Sequence, residues 1–243
     1  MLRCLCGCCL SKENERQPLL QPRPPQPNGA ESARKTRAAT SEPQATKQTG
    51  RLVMRRVCVP DLDLRFSDLA ETFNELQGRY ESMIGHIGNL QKNCGCTLND
   101  VNISHCVGKI CEEHRDKYTV SLTMKGYDFY LSAASRGGNN ELSVCRAVRL
   151  AQEEVKCLSE NTKAAISKGT TLQELIGWLL RSKVQMAEQV KKVAGTYQER
   201  GRLIENLEEN MKEVSRAKEL LLKYRHDAGE VLSQAAHIAG APL

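Results

Sequence analysis

The 243-residue sequence predicts an all-α fold, an elongated helical bundle or coiled coil behind a disordered, lipid-anchored N-terminal tail. Three observations carry that expectation. Apolar residues recur at alternating steps of three and four over long stretches, the period of a helix face rather than of a strand. Aromatic residues make up only 4% of the chain and the mean hydropathy is −0.48, so few large side chains exist to fill a thick globular core. Six of the eight prolines (Pro18, Pro22, Pro24, Pro25, Pro27 and Pro43) fall before the periodic part begins. They stand among Gln, Ser, Thr and Ala, a composition that buries too little surface to offset its ordering entropy. The expected organisation is therefore an anchor over residues 1–20, a Pro-rich basic linker over 21–60 and a helical interaction domain over 61–243.

The first helix is expected from about Asp61, after Pro60. Asp68-Leu-Ala-Glu71 fits a capping box. Leu69, Phe73, Leu76, Tyr80, Met83, Ile87 and Leu90 then form a heptad seam, which Asn93-Cys94-Gly95-Cys96 breaks. Gly78, Gly85 and Gly88 each weaken this helix by roughly 1 kcal/mol relative to Ala, so it needs packing partners.

A second helix is expected from Thr97, with Val101, His105, Ile110, His114, Tyr118, Leu122 and Phe129 near one face. Its second half is ambiguous, because Tyr118-Thr-Val-Ser-Leu-Thr-Met124 also alternates as a strand does. Gly137-Gly138-Asn139-Asn140 marks a turn. A third helix follows over 141–168, with Val144, Val148, Ala151, Val155, Leu158, Thr162 and Ala165 stepping four and three, and Gly169 as its expected end. Thr171-Leu-Gln-Glu174 matches a capping box and opens the longest periodic stretch, with Gly195 and Gly201 as candidate interruptions. Unbroken to Ala236, that helix would be about 100 Å long. Within it Ile204, Leu207, Met211, Val214 and Leu221 form an apolar stripe, expected to be the interface for coiled-coil partners or for self-association, the alternative being that it packs on the helix at residues 68–92 of the same chain. Lys218 interrupts the stripe, either as a polar core position that sets register or as a side chain splayed to the surface.

The first ten residues place Cys4, Cys6, Cys8 and Cys9 among leucines. Cysteines in such a setting are candidates for S-acylation, and several chains hold a protein at a membrane where one alone gives marginal binding. Metal binding, redox use and a neutral tail are the alternatives, although the spacing is too tight for ordinary zinc ligation and no histidine lies nearby. Myristoylation requires glycine after the initiator methionine, and this chain has Leu2. Glu15-Arg-Gln-Pro-Leu19-Leu20 follows as an acidic dileucine pattern, a signal read by clathrin-adaptor complexes.

The stretch from Gly7 through Cys8, Cys9 and Glu15 to Leu19-Leu20 resembles the N-terminal anchor of the Ragulator membrane-anchor subunit. The resemblance implies acylation at Cys8 and Cys9 and sorting through Glu15, Leu19 and Leu20 to the late endosome and lysosome. It covers fewer than one tenth of the residues and speaks for location only. In that family the myristoylated glycine follows the methionine, whereas Gly7 is internal. First membrane contact then falls to Leu2, Leu5, Leu10 and the basic residues.

The net charge of +6 is unevenly spread: residues 1–60 hold 11 Lys/Arg against 4 Asp/Glu, and the remainder 24 against 25. Arg34, Lys35, Arg37, Lys47, Arg51, Arg55 and Arg56 each add about 1 kcal/mol of attraction to an anionic leaflet when close to it. The other reading of this surplus is a solvated linker. Nucleic acid is not expected as a partner, because the body is near neutral and has no basic face studded with aromatics. No window spans a bilayer, so the chain is expected to face the cytosol, with plasma membrane or Golgi as further sites. Its eleven cysteines are then reduced thiols.

Cys94, Cys96, His105, Cys106, Cys111 and His114 supply enough ligands for one zinc, but their spacing matches no common module. No metal and no cofactor beyond covalent acyl chains is expected. Trp178, the single tryptophan, is either a partner hot spot or core. No phosphate-cradling glycine motif or nucleophile elbow is present, and the chain is not expected to be an enzyme. The function expected is that of a peripheral adaptor or scaffold on the cytosolic face of late endosomes and lysosomes. The alternative is an acyl-anchored fusion component of the SNARE type, which requires a continuous layer series with a central buried Gln or Arg.

Overall fold

The computed structural model describes residues 50–96, 102–136 and 144–241. Among these the fold is helical as expected. It comprises α1 (Pro60–Asn93), α2 (Ile103–Glu113), α3 (Arg146–Arg181), α4 (Lys183–Val193) and α5 (Tyr197–Ala239), with one hairpin of β1 (Tyr118–Lys125) and β2 (Asp128–Ser135).

α1 starts at Pro60, whose missing N–H costs nothing in the first turn, and Asp61 and Asp63 there favour the positive end of the helix dipole. The Asp68–Glu71 pattern consequently lies inside the helix. Leu69, Phe73, Leu76, Met83, Ile87 and Leu90 are buried, and Gly95, at φ 59°, turns the chain after the Cys94 cap.

α1 and α3 run antiparallel. Glu75 meets Lys168, His86 Nδ1 lies 2.6 Å from Glu154, and the Arg65 guanidinium sits 4.2 Å over the Trp178 ring. α5 runs parallel to α1: Tyr80 donates to Asp227 at 2.7 Å, and the rings of Tyr80 and Phe73 stack on Tyr224. α5 also packs on α3, where Arg225 donates to Gln173 and its Cγ and Cδ lie 2.8 Å from where a Cβ on Gly169 would stand. Three long helices thus share one core.

That close approach explains a departure from the sequence reading. Gly169 does not end a helix; α3 runs straight through it and through the Thr171 capping pattern to Arg181. An added Cβ at Gly169 would have to push the Arg225 side chain of α5 aside. The breaks occur instead at Ser182, between α3 and α4, and at Ala194–Thr196. Gly201 lies inside α5, a helix of 43 residues and so about 64 Å long. Thr196 caps its start by accepting from the Glu199 amide at 3.1 Å, and Gly240, at φ 63°, closes its end.

A second departure is the hairpin. The helix expected to continue through Tyr118, Leu122 and Phe129 ends at Glu113, and Tyr118–Met124 follows its alternation instead. Tyr118 and Leu122 are buried and Val120 and Met124 half-buried, all on the face opposite Thr119, Ser121 and Thr123. Gly126-Tyr127 makes a two-residue turn with Gly126 at φ 61°. The hairpin lies on α3, where the Phe129 amide donates to Ser159 at 2.9 Å and Gln152 donates to the Leu131 carbonyl at 3.1 Å.

Two further expectations are corrected. Residues 51–59, assigned to the linker, are non-helical and held against the helices, with a bend at Cys58 (φ 60°) and with Leu52 and Val57 buried. The stripe assigned to a partner interface belongs to the core of this chain: Leu207, Met211, Val214 and Leu221 are 2, 5, 0 and 2% exposed, and Ile204 is half-buried. An apolar seam on α5 is covered wherever α1 and α3 lie alongside it, which sequence periodicity alone does not reveal. Ala217 fills the core at that level and Lys218 is exposed.

Candidate functional site

The acylation candidates Cys4, Cys6, Cys8 and Cys9, the sorting residues Glu15, Leu19 and Leu20, and the basic residues 34–47 lie outside the described residues. The body offers three places with chemistry of their own.

The first is a clamp that grips the main chain of residues 50–57. Asn210, 1% exposed, accepts from the Arg55 amide at 2.7 Å and donates to the Arg55 carbonyl at 2.8 Å. Asn74 does the same for Leu52, at 2.7 and 3.0 Å. Asn206 donates to the Arg56 carbonyl at 2.8 Å, Asp63 accepts from the Val57 amide at 2.7 Å, and Arg216 donates to the Gly50 and Arg51 carbonyls at 3.1 and 3.0 Å. Residues 50–57 belong to no helix or sheet, so their peptide groups must be satisfied from outside. Here α1 and α5 supply the donors and acceptors while Leu52 and Val57 enter the core. The clamp fixes residues 50–57 on α1 and α5. The signal for it in sequence was Asn210, a polar residue between Leu207 and Val214 in an otherwise apolar seam.

The second place is the surface of α4 and its turn into α5. Val184, Val193 and Tyr197 are 75, 49 and 87% exposed, so large apolar groups face solvent there. Arg181, Lys183, Lys191, Lys192, Arg200 and Arg202, near them in sequence, are all exposed. Of the two carboxylates in the segment, Glu188 pairs with Lys191 at 2.9 Å and Glu199 accepts from the Gly195 amide at 3.1 Å. The surplus of positive charge is left open.

The third is a thiol cluster where α2 meets the end of α1. Cys96 donates its S–H to the Cys94 carbonyl and Cys106 donates its own to the Asn102 carbonyl, each at 3.8 Å. The neighbouring Cys106 thiol pulls Cys94 below its ordinary range, whereas Cys94 and burial push Cys106 up. Burial, followed by the Cys106 thiol, raises Cys96. Cys111 stands apart, donating to the Val120 carbonyl at 3.3 Å and raised by burial.

The wider ligand set weighed from sequence is not assembled: His105 is exposed and His114 half-buried at the α2 cap. Among the described residues no group of three or more His, Cys, Asp or Glu is placed to hold a metal ion. Trp178 is half-buried against the core beneath Arg65, in keeping with the core reading. Among the described residues no helix is long and apolar enough to cross a membrane. Comparison with protein-family models, with curated protein sequences and with solved structures finds no match in any of the three.

Proposed function

We propose that this chain is a peripheral adaptor subunit, anchored by S-acylated N-terminal cysteines to the cytosolic face of late endosomes and lysosomes, whose helical body touches the membrane and carries partner proteins. The observation that carries the reading is the tip between α4 and α5. An exposed valine and an almost fully exposed tyrosine stand near exposed lysines and arginines that outnumber the carboxylates of the segment. Aromatic residues favour the headgroup level of a bilayer, and each nearby cation adds about 1 kcal/mol of attraction to an anionic leaflet. Cys4, Cys6, Cys8 and Cys9 supply the durable anchor in this reading, and Glu15, Leu19 and Leu20 the address. The clamp at Asn74 and Asn210 joins that tail to the body.

The adaptor reading is favoured over the fusion reading by the state of the seam. Zippering between membranes needs an unpartnered helix face, and the α5 seam is already buried against α1 and α3. Partners then dock on the outside of the bundle, not through the Leu207–Leu221 stripe.

Two measurements test the proposal. In cells, changing Cys4, Cys6, Cys8 and Cys9 to Ser is expected to release the chain to the cytosol, whereas Leu19→Ala with Leu20→Ala leaves it on membranes at a different organelle. Persistent lysosomal binding of the four-Ser chain overturns the anchor. In vitro, the unacylated full chain is expected to co-sediment with vesicles containing phosphatidylserine and not with neutral vesicles. Lys191→Glu with Lys192→Glu, and separately Tyr197→Ser, weaken that binding several-fold. Equal binding by these variants overturns the tip.

A further inference from the structure

We propose that residues 50–57 form a strap that two copies of this chain exchange, each strap lying on the α1 and α5 of the other copy, so that the clamp is also a self-association surface. The inference rests on the clamp and not on the membrane anchor. The strap runs against the direction of both helices: it passes Arg216 at Gly50, Asn74 at Leu52, Asn210 at Arg55 and Asp63 at Val57. Between Asp63 and Asn74 the helix rises about 16 Å, a distance that the five steps from Leu52 to Val57 cover only when nearly straight. The chain then reverses and returns as α1 from Pro60. Val59 already belongs to the helix, its carbonyl accepting from the Leu62 and Asp63 amides at 3.0 and 2.9 Å. Cys58 is therefore the hinge.

The hinge is strained. Cys58, at φ 60°, is the one non-glycine residue with positive φ among the described residues, and a side chain disfavours that left-handed region. If Cys58 moves to the extended region, the strap swings out past the first turn of α1, away from its own grips. A second copy in the same state then receives it. Every clamp contact is remade between the two copies and both hinges relax, and a short hinge under strain is the condition that invites such swapping. Little else is disturbed, since Cys58 is exposed and Val59 is only half-buried.

The grip also says which segment fits. Asn74 and Asn210 each hold the amide and carbonyl of one residue, and Asn206 and Arg216 hold carbonyls, so these bonds do not depend on which copy supplies the main chain. Side chains are read at three positions. Leu52 and Val57 fill buried sockets, and a Cβ at Gly50, whose φ is 108°, would collide with the Gln77 amide. A glycine followed by apolar residues two and seven positions on is what this chain's own strap provides, and a second copy provides the same.

The test is the oligomeric state of the unacylated full chain, kept in reductant so that no disulfide accounts for a dimer, and read by light scattering after size exclusion. The parent is expected to show a dimer fraction that rises with concentration. Cys58→Pro fixes φ at about −65° and forbids the closed hinge. It is expected to be dimeric even when dilute, with the Leu52 and Arg55 amides still protected from hydrogen exchange. Cys58→Gly removes the strain, about fivefold for each hinge, and so weakens the dimer roughly 30-fold. Adding Asn74→Ala and Asn210→Ala to Cys58→Pro returns it to monomer. A parent that is monomeric throughout, a Cys58→Pro monomer whose strap amides exchange freely, or a Cys58→Pro dimer that survives loss of both asparagines overturns the proposal. Where Cys58→Pro loses its helical dichroism, a labelled peptide of residues 48–59 is added instead to the full chain carrying Leu52→Asp and Val57→Asp, whose own strap cannot seat. Saturable binding that Asn74→Ala with Asn210→Ala abolishes supports exchange, and absence of binding overturns it.

Discussion

Replacing Asn210 by Ala isolates what the clamp contributes. The substitution removes two hydrogen bonds, at 2.7 and 2.8 Å, and leaves the Arg55 amide and carbonyl without the partners that α5 supplied. Each such bond contributes about 0.5–1.5 kcal/mol net, so their direct loss is about 1–3 kcal/mol. Asn210 is 1% exposed, and the cavity left by its amide keeps the cost toward the upper part of that range. A ceiling is set by the segment as a whole. If residues 50–57 peel away, the burial of Leu52 and Val57 is lost as well, at about 1.5–3 kcal/mol for each side chain. The expected outcome is destabilisation of about 2–3 kcal/mol.

The assay is urea unfolding of the full chain followed by the fluorescence of Trp178, with hydrogen exchange read at the Leu52, Arg55 and Val57 amides. Exchange separates local release from global unfolding, because the three amides are held by Asn74, Asn210 and Asp63 respectively. In Asn210→Ala the Arg55 amide loses protection first. Asn206→Ala, which removes one bond at an exposed site, costs no more than about 1 kcal/mol. Asn74→Ala combined with Asn210→Ala is non-additive, since once one grip is lost the segment lifts from the other. Stability within about 0.3 kcal/mol of the parent, together with unchanged exchange at Leu52 and Arg55, would refute the clamp.

Three further outcomes are expected. Val214→Asp places a charge where the side chain is 0% exposed, so the chain loses more than about 4 kcal/mol and its helical dichroism; a folded variant that merely loses partners would return this stripe to the interface. Gly169→Leu drives side-chain atoms into Arg225 and lowers stability by about 1–3 kcal/mol, whereas Gly201→Ala, where an added Cβ meets nothing within 4 Å, gains up to about 1 kcal/mol; thermal melts that rank the two the other way would show that α5 does not press on Gly169. The carboxyls of Glu75, Glu188 and Glu209 are held below their ordinary value of 4.5 by hydrogen bonds and charge from Lys168, Lys191 and Lys212. A lowered pKa gives stability that is present above the ordinary value and is lost as pH falls through the folded one. These pairs are solvent-exposed, so the acid-side decline is shallow and flattens in about 1 M salt; a decline that salt leaves unchanged would contradict surface pairing.

What the sequence disclosed and what it concealed divide along one physical line. Period and punctuation are local, and they located α1 over about 61–92 and the apolar seams of α3 and α5, though not where α3 ends and α5 begins. Which side of a covered seam a residue faces is not local. Leu207, Met211, Val214 and Leu221 have the same spacing whether they meet a partner or α1 and α3 of their own chain. Gly169 looks like a stop signal until the nearness of Arg225 shows it to be a contact point. Tyr118, Leu122 and Phe129 misled because i and i+4 lie on one side of a strand as well as of a helix. The Gly126-Tyr127 turn between alternating segments was the local signal that decided for the hairpin. Asn210 was the most informative residue passed over. A buried amide in an apolar seam is costly unless its partners are met, and neighbouring helices offer no free backbone groups to meet them. Such a residue calls for a non-helical segment lying across the seam, and residues 50–57 are that segment. The same reasoning fixes the boundary of the body. A chain cut at residue 61 would leave Asn74 and Asn210 without their main-chain partners and the sites of Leu52 and Val57 empty, so a stable body includes residues 52–57.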